Sequence, residues 1–109
     1  MEHSTHHINL QRLARFAARI EDLFSEVSAC RQDTVPAELA DEVAATAGEI
    51  MLALAGHESD DFVRGALADA RRLREAARTL RPERSQIGEA GAALARDVSL
   101  IIRHDKQAA

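Results

Sequence analysis

A chain of 109 residues with three aromatic residues, one cysteine and a net charge of −4 fits one small globular domain. The lone cysteine excludes an internal disulfide, and no apolar run is long enough for a transmembrane helix. No signal peptide is recognised, so the sequence predicts a small cytoplasmic protein, and the excess of arginine over lysine indicates a bacterial genome composition. The negative net charge argues against general nucleic-acid binding.

Residues 1–7 are predicted to form a flexible, histidine-containing segment. The first helix is predicted over about residues 5–29, and its first residues overlap this frayed segment. Its apolar residues alternate spacings of three and four, which is typical of the seam of a helical bundle. The stripe consists of Leu10, Leu13, Ala17, Ile20, Phe24 and Val27.

The second helix is predicted over residues 36–56 by clear start and stop signals. Asp33 or Thr34 can cap its first amides, Pro36 suits a first helical position, and Gly56 suits a helix end. Its stripe consists of Leu39, Val43, Ala47, Ile50 and Leu54. Residues 50–55 are apolar all round, which indicates that this half of the helix is covered on more than one side.

The third helix is predicted to begin after Ser59, a capping residue, and to end near Leu80, because Pro82 disfavours helix at the residue before it. Its stripe consists of Val63, Ala66, Ala70, Leu73, Ala77 and Leu80.

The fourth helix is predicted to begin near Ser85 and to end near His104, with residues 105–109 as a loose tail. Its stripe consists of Ile87, Leu94, Val98 and Ile101, and Gly88 and Gly91 are expected to loosen its first turns.

Short connections between the helices favour antiparallel neighbours. The sequence therefore predicts an all-α fold, an antiparallel up-down-up-down four-helix bundle, in a single domain over residues 8–104. We expect the largest stripe residues to be buried. They are Leu13, Ile20, Phe24, Val43, Ile50, Leu73, Leu94 and Val98.

Apolar residues outside the stripes predict an interaction surface. Met51 and Leu52 on the second helix and Leu100 and Ile102 on the fourth would form one exposed patch, which a symmetric homodimer would bury. The alternative is that wide stripes place these residues in a monomer core. We therefore predict a non-enzymatic protein interaction module, an adaptor, chaperone or regulator, without a cofactor and without a membrane association.

The distribution of charge offers a second candidate surface. No lysine or arginine occurs from residue 32 to residue 63, whereas seven arginines follow between residues 64 and 84. Arg71, Arg74 and Arg78 could bind an anionic partner, which makes a nucleic-acid-associated regulator one alternative function. They could also match acidic residues of another subunit, or simply form a solvated flank.

A second alternative is an enzyme. Glu38 and Asp41, three residues apart, are followed by Glu58 and Asp61, a spacing similar to the paired acidic motifs of all-α magnesium-dependent nucleoside-triphosphate pyrophosphohydrolases. That resemblance implies carboxylates that hold magnesium. The second pair departs from the family pattern, because it spans a predicted loop and a helix cap.

The N-terminus carries a chemically specific metal-binding pattern. A terminal amine, two amides and the imidazole of His3 can form a square-planar nitrogen site for Cu(II) or Ni(II), with His6 and His7 assisting. Such binding is expected to be adventitious.

Overall fold

The computed structural model describes the backbone of residues 8–108 and the side chains of residues 8–105. In this part of the chain four helices are present: α1 (Leu10–Ala29), α2 (Ala37–Leu54), α3 (Asp61–Ala77) and α4 (Arg84–Ala108). The same residues contain no strand, only one isolated β-bridge between Thr34 and Glu83. None of these helices combines the length and apolar character that a membrane span requires.

The helices form a ring in which each packs on two neighbours. α1 contacts α2, α2 contacts α3, α3 contacts α4, and α4 closes on α1, so α2 and α4 lie at diagonal corners without close backbone contact in the described residues. Arg12 near the start of α1 lies 3.5 Å from Glu49 near the end of α2. Arg19, farther along α1, lies 3.2 Å from Glu42, nearer the start of α2. Residues farther along α1 therefore pair with residues nearer the start of α2, as in neighbouring helices of opposite direction. The predicted all-α four-helix bundle is confirmed.

The helix starts differ in detail from the predicted ones. Asn9 caps α1 by accepting from the amide of Arg12 at 3.0 Å, and Asp60 caps α3 by accepting from the amide of Phe62 at 2.8 Å. Ser59 is therefore not the cap of α3, and Ser85 lies inside the first turn of α4. α4 also continues to Ala108, past His104, because no proline or glycine follows to stop it.

The two connections at one end of the bundle bind each other, which the sequence did not indicate. The amide of Val35 donates to the carbonyl of Pro82 at 2.8 Å, and the amide of Arg84 donates to the carbonyl of Asp33 at 2.7 Å. Pro36 forms the start of α2 with no side-chain cap. The prediction that Asp33 or Thr34 caps α2 is wrong, because this segment is extended and pairs with the other connection.

The predicted stripes form the core. Of the large residues expected inside, only Phe24 is half-buried and the others are buried. Leu80 is a clear exception, because its side chain is fully exposed. α3 ends at Ala77, and the chain leaves the helix to form the paired connection before Leu80 can reach the core.

Gly91 of α4 packs against the ring of Phe24 of α1. It is buried, and a Cβ at this position would overlap the ring of Phe24. A glycine in a helix costs about 1 kcal/mol relative to alanine, so its presence here is explained by the ring that occupies the space of a side chain.

Gly91→Ala is expected to lower the free energy of unfolding by about 1–2 kcal/mol, because overpacking outweighs the gain in helix propensity. Gly88→Ala is the matched control on the same helix, since a Cβ there has no neighbour within 4 Å. The free energy of unfolding of Gly88→Ala should rise by about 0.5–1 kcal/mol. Urea denaturation followed by circular dichroism measures both. Equal effects of the two substitutions would show that Phe24 moves aside without cost.

Candidate interaction surface

A groove runs along the surface between α2 and α3. It consists of three adjoining cavities of about 680, 390 and 560 Å³. The middle cavity shares Asp41 and Arg78 with the first and Ala45, Gly48 and Arg74 with the last. The cavities are therefore sections of one continuous feature, which we call the α2/α3 groove.

Apolar residues line both ends of the groove. At the 680 Å³ end, Ala37 and Ala40 of α2 and Ala77 and Leu80 from the end of α3 and the segment after it lie beside polar residues, among them Gln32, Thr34 and Thr79. The 560 Å³ end is formed mainly by Met51, Leu52 and Ala55 from the end of α2 with Leu67 of α3. Small residues of α2 line the middle together with Asp41, Arg74 and Arg78.

Exposed leucines mark both ends of the groove. Among the described residues, the large apolar side chains that are exposed are Leu52 at 70%, Leu80 at 102% and Phe62 at 40%. Leu52 and Leu80 line opposite ends of the groove, whereas Phe62 packs against the ring of His104 at 5.1 Å between centroids. Leu80 is a surface residue that the sequence analysis assigned to the core.

One wall of the groove carries the predicted arginine row. Arg71 lines the 560 Å³ end, Arg74 lines the middle, and Arg78 lines the middle and the 680 Å³ end. Within the described part of the chain, none of the three forms an ion pair, whereas Arg12 and Arg19 on α1 do. The structure thus brings the three arginines together on the flank of α3 that faces α2.

The four residues of the predicted apolar patch lie in two separate places. Met51 and Leu52 meet in the α2/α3 groove, with Met51 half-buried against the core. Ile102 also packs against the core, and Leu100 is half-buried on α4. Because α2 and α4 occupy diagonal corners, the structure does not join the two pairs into one patch.

The two acidic pairs of the enzyme alternative lie at opposite ends of α2. Glu38 is in its first turn and Asp41 in the turn that follows, whereas Glu58 and Asp61 come after its last residue. A helix of 18 residues is about 27 Å long, so the structure does not bring the pairs together. No group of three histidine, cysteine or acidic residues that could hold a metal occurs among the described residues. His3, His6 and His7 lie outside the described residues.

A pair of carboxyl groups joins α3 and α4, which the sequence analysis missed. Asp97 has a buried Oδ2 atom with no hydrogen-bond partner in the described structure. Burial raises the pKa of Asp97 to about 6, and a hydrogen bond with Asp69 and the Asp69 charge act in the same direction. Arg96 opposes this pKa shift, and Arg72 lies 3.7 Å from Asp69. Two carboxyl groups can share a hydrogen bond only when one is protonated.

These features define a helical bundle whose surface carries an open groove with apolar ends and a basic wall. Compared with protein-family models, curated proteins and solved structures, the chain has no match in any of the three. Function is therefore argued from the groove itself.

Proposed function

We propose that this chain is a non-enzymatic protein interaction module, an adaptor, chaperone or regulator, that acts as a self-associating bundle in the cytoplasm. The observation that carries the proposal is the exposure of Leu52 at 70% beside the apolar end of the α2/α3 groove. Burying a leucine side chain contributes about 1.5–3 kcal/mol, so an exposed one beside an open apolar cavity favours association.

The shape and composition of the groove support a protein partner more than a small substrate. It extends along most of α2 and remains open to solvent over its length. Catalytic sites are concave and combine a few convergent polar groups. Here the polar groups are arginines and carboxylates spread along the walls, as expected for the rim of a protein interface.

The two alternative functions have less support. A magnesium enzyme requires its carboxylates at one place, whereas Glu38 and Glu58 flank opposite ends of α2. A nucleic-acid regulator would use Arg71, Arg74 and Arg78, but these arginines share their groove with leucines and with Glu49 and Glu58. A phosphate backbone would leave the exposed leucines uncovered, whereas a helix of a protein partner can bury them.

Leu52→Glu is expected to dissociate a homodimer. Sedimentation equilibrium at micromolar concentration should give twice the mass of 11.9 kDa for the wild type and a mass near 11.9 kDa for the variant. A twofold interface loses two leucine contacts, which corresponds to about a hundredfold or greater weakening. Circular dichroism should remain helical, because the exposed Leu52 contributes little to the core.

Phe62→Glu is the matched control, since Phe62 is exposed and apolar but lies outside the groove. It should leave the wild-type mass unchanged. A wild-type mass of one chain at every accessible concentration would refute self-association.

A further inference from the structure

We propose that the partner in the α2/α3 groove is α2 of a second copy, arranged antiparallel about a twofold axis near Ala45. This inference rests on the proposed self-association and specifies its geometry. It assigns different contacts to the two ends of the groove and a specific set of ion pairs to its arginines.

The leucines support the position of the axis. Leu52 lies seven residues after Ala45, which is about 10 Å along a helix, and Glu38 lies the same distance before it. Turning α2 end for end about Ala45 therefore carries Leu52 of the second copy to the level of Ala37 and Glu38. There it meets the 680 Å³ end of the groove, beside Leu80. By symmetry, Leu52 of the first copy lies beside Leu80 of the second copy. Both exposed leucines of each chain, Leu52 and Leu80, are therefore covered by the other copy.

The charges support the same arrangement. α2 contains Glu38, Asp41, Glu42 and Glu49 and no lysine or arginine. The twofold rotation brings Asp41 of the second copy to the level of Glu49, at the 560 Å³ end of the groove, where Arg71 and Arg74 also lie. An arginine without a described ion pair thereby gains a carboxylate of opposite charge.

Two other acidic residues of α2 already form ion pairs with α1. Glu42 faces α1, where it accepts from Arg19 at 3.2 Å. Glu49 pairs with Arg12 of α1 at 3.5 Å. Glu38 lies with Glu42 on the α1 side of α2, beside Ala29 and Cys30. Asp41 is therefore the acidic residue of α2 that lines the groove without a described ion pair, and the rotation moves it toward α3 of the second copy.

Small residues at the axis permit close contact of the two helices. Ala45 is exposed, and a Cβ built on Gly48 has no neighbour within 4 Å. Interaxial distances between helices depend on the side chains at the crossing and are smallest where those are small. A glycine in the middle of α2 costs about 1 kcal/mol in helix stability, and a close helix crossing gives it a function.

Cysteine cross-linking tests the axis directly. In a Cys30→Ser background, Ala45→Cys places one thiol of each chain next to the axis, and mild oxidation should convert most of the protein to a covalent dimer. Ala92→Cys in the same background is the control, because Ala92 is also exposed but lies on α4. It should remain largely monomeric on a non-reducing gel.

Two further variants test the contacts. Leu80→Glu should weaken dimerisation about thirtyfold or more by exposing Leu52 of the second copy, and the monomer fold should be unaffected because Leu80 is fully exposed. Arg71→Glu should weaken dimerisation about tenfold, and adding Asp41→Arg should restore most of the loss by exchanging the charges.

The outcomes separate this inference from the broader proposal. A wild-type chain that stays monomeric overturns both. A dimer that Leu52→Glu dissociates, but in which Ala45→Cys cross-links no better than Ala92→Cys, leaves self-association intact and overturns the antiparallel α2 arrangement. Preferential cross-linking at Ala45 with loss of the dimer in Leu80→Glu supports it.

Discussion

Replacing Ile50 by alanine is expected to lower the free energy of unfolding by about 2–5 kcal/mol. Ile50 lies in the second half of α2 and its side chain is fully buried in the core cluster. The substitution removes methylene groups from this core and leaves a cavity that the surrounding helices fill only in part. Domains of this size have a total stability of about 5–15 kcal/mol, so the loss is a large fraction of it. Urea denaturation followed by circular dichroism measures the change.

Leu52→Ala provides the control on the same helix, two residues farther on. Its side chain is 70% exposed, and surface substitutions usually change stability by less than about 0.5 kcal/mol. Both variants must be measured at a protein concentration low enough that association does not contribute to stability. A loss below about 1 kcal/mol for Ile50→Ala would assign Ile50 to the surface.

The contrast between Ile50 and Leu52 shows what helical periodicity can predict. Apolar residues at spacings of three and four necessarily share one face, and a bundle must bury that face. Leu13, Ile20 and Leu94 were found in this way, and the structure buries all of them. The fold class follows from this pattern with the short connections.

The end of α3 shows where periodicity fails. Leu80 continues the spacing of Leu73 and Ala77, yet the helix stops at Ala77. The residues that follow pair with the other connection through Val35 and Pro82. This pairing joins segments far apart in sequence, so no local sequence pattern predicts it. Pro82 indicates only that the helix ends before it.

The position of the candidate surface also depends on contacts between helices. A helical projection shows that Leu52 points away from the core of α2, but it does not show which helix lies next to it. The apolar pattern of the sequence predicts one patch of Leu52 with Leu100 and Ile102, whereas the order of the helices around the bundle places α3 beside Leu52. The arginine row could be identified from the sequence, because its three members share one flank of a single helix.

The carboxyl pair could not be predicted for the same reason. Asp97 and Asp69 occupy ordinary polar positions of their helices, and only the register of α3 against α4 brings them together. The contact of Gly91 with Phe24 likewise depends on the register of α1 against α4. Sequence therefore identifies the faces of helices, and tertiary packing determines which residues of two faces meet.

Asp97→Asn is expected to stabilise the protein at neutral pH by about 1–3 kcal/mol relative to the wild type. At this pH the wild type must ionise Asp97 next to the Asp69 carboxylate, with one oxygen buried and without a partner. The asparagine amide is neutral and can donate a hydrogen bond to Asp69, so it removes the repulsion and retains the contact. Thermal and urea denaturation across a range of pH measure the difference between the two proteins.

The sign of the pH dependence follows from the direction of the shift. The pKa of Asp97 is raised from 3.8 to about 6 in the folded chain, so between these values the folded state binds more protons than the unfolded state. The contribution of Asp97 to stability is therefore fully present below about pH 4 and is lost as the pH rises through about 6. The advantage of Asp97→Asn over the wild type should grow across the same interval and level off above about pH 7. Glu89→Gln, which removes an exposed carboxylate of the same helix, should show no such growth. A difference between Asp97→Asn and the wild type that stays constant from pH 4 to pH 7 would mean that Asp97 ionises as freely in the bundle as in the unfolded chain.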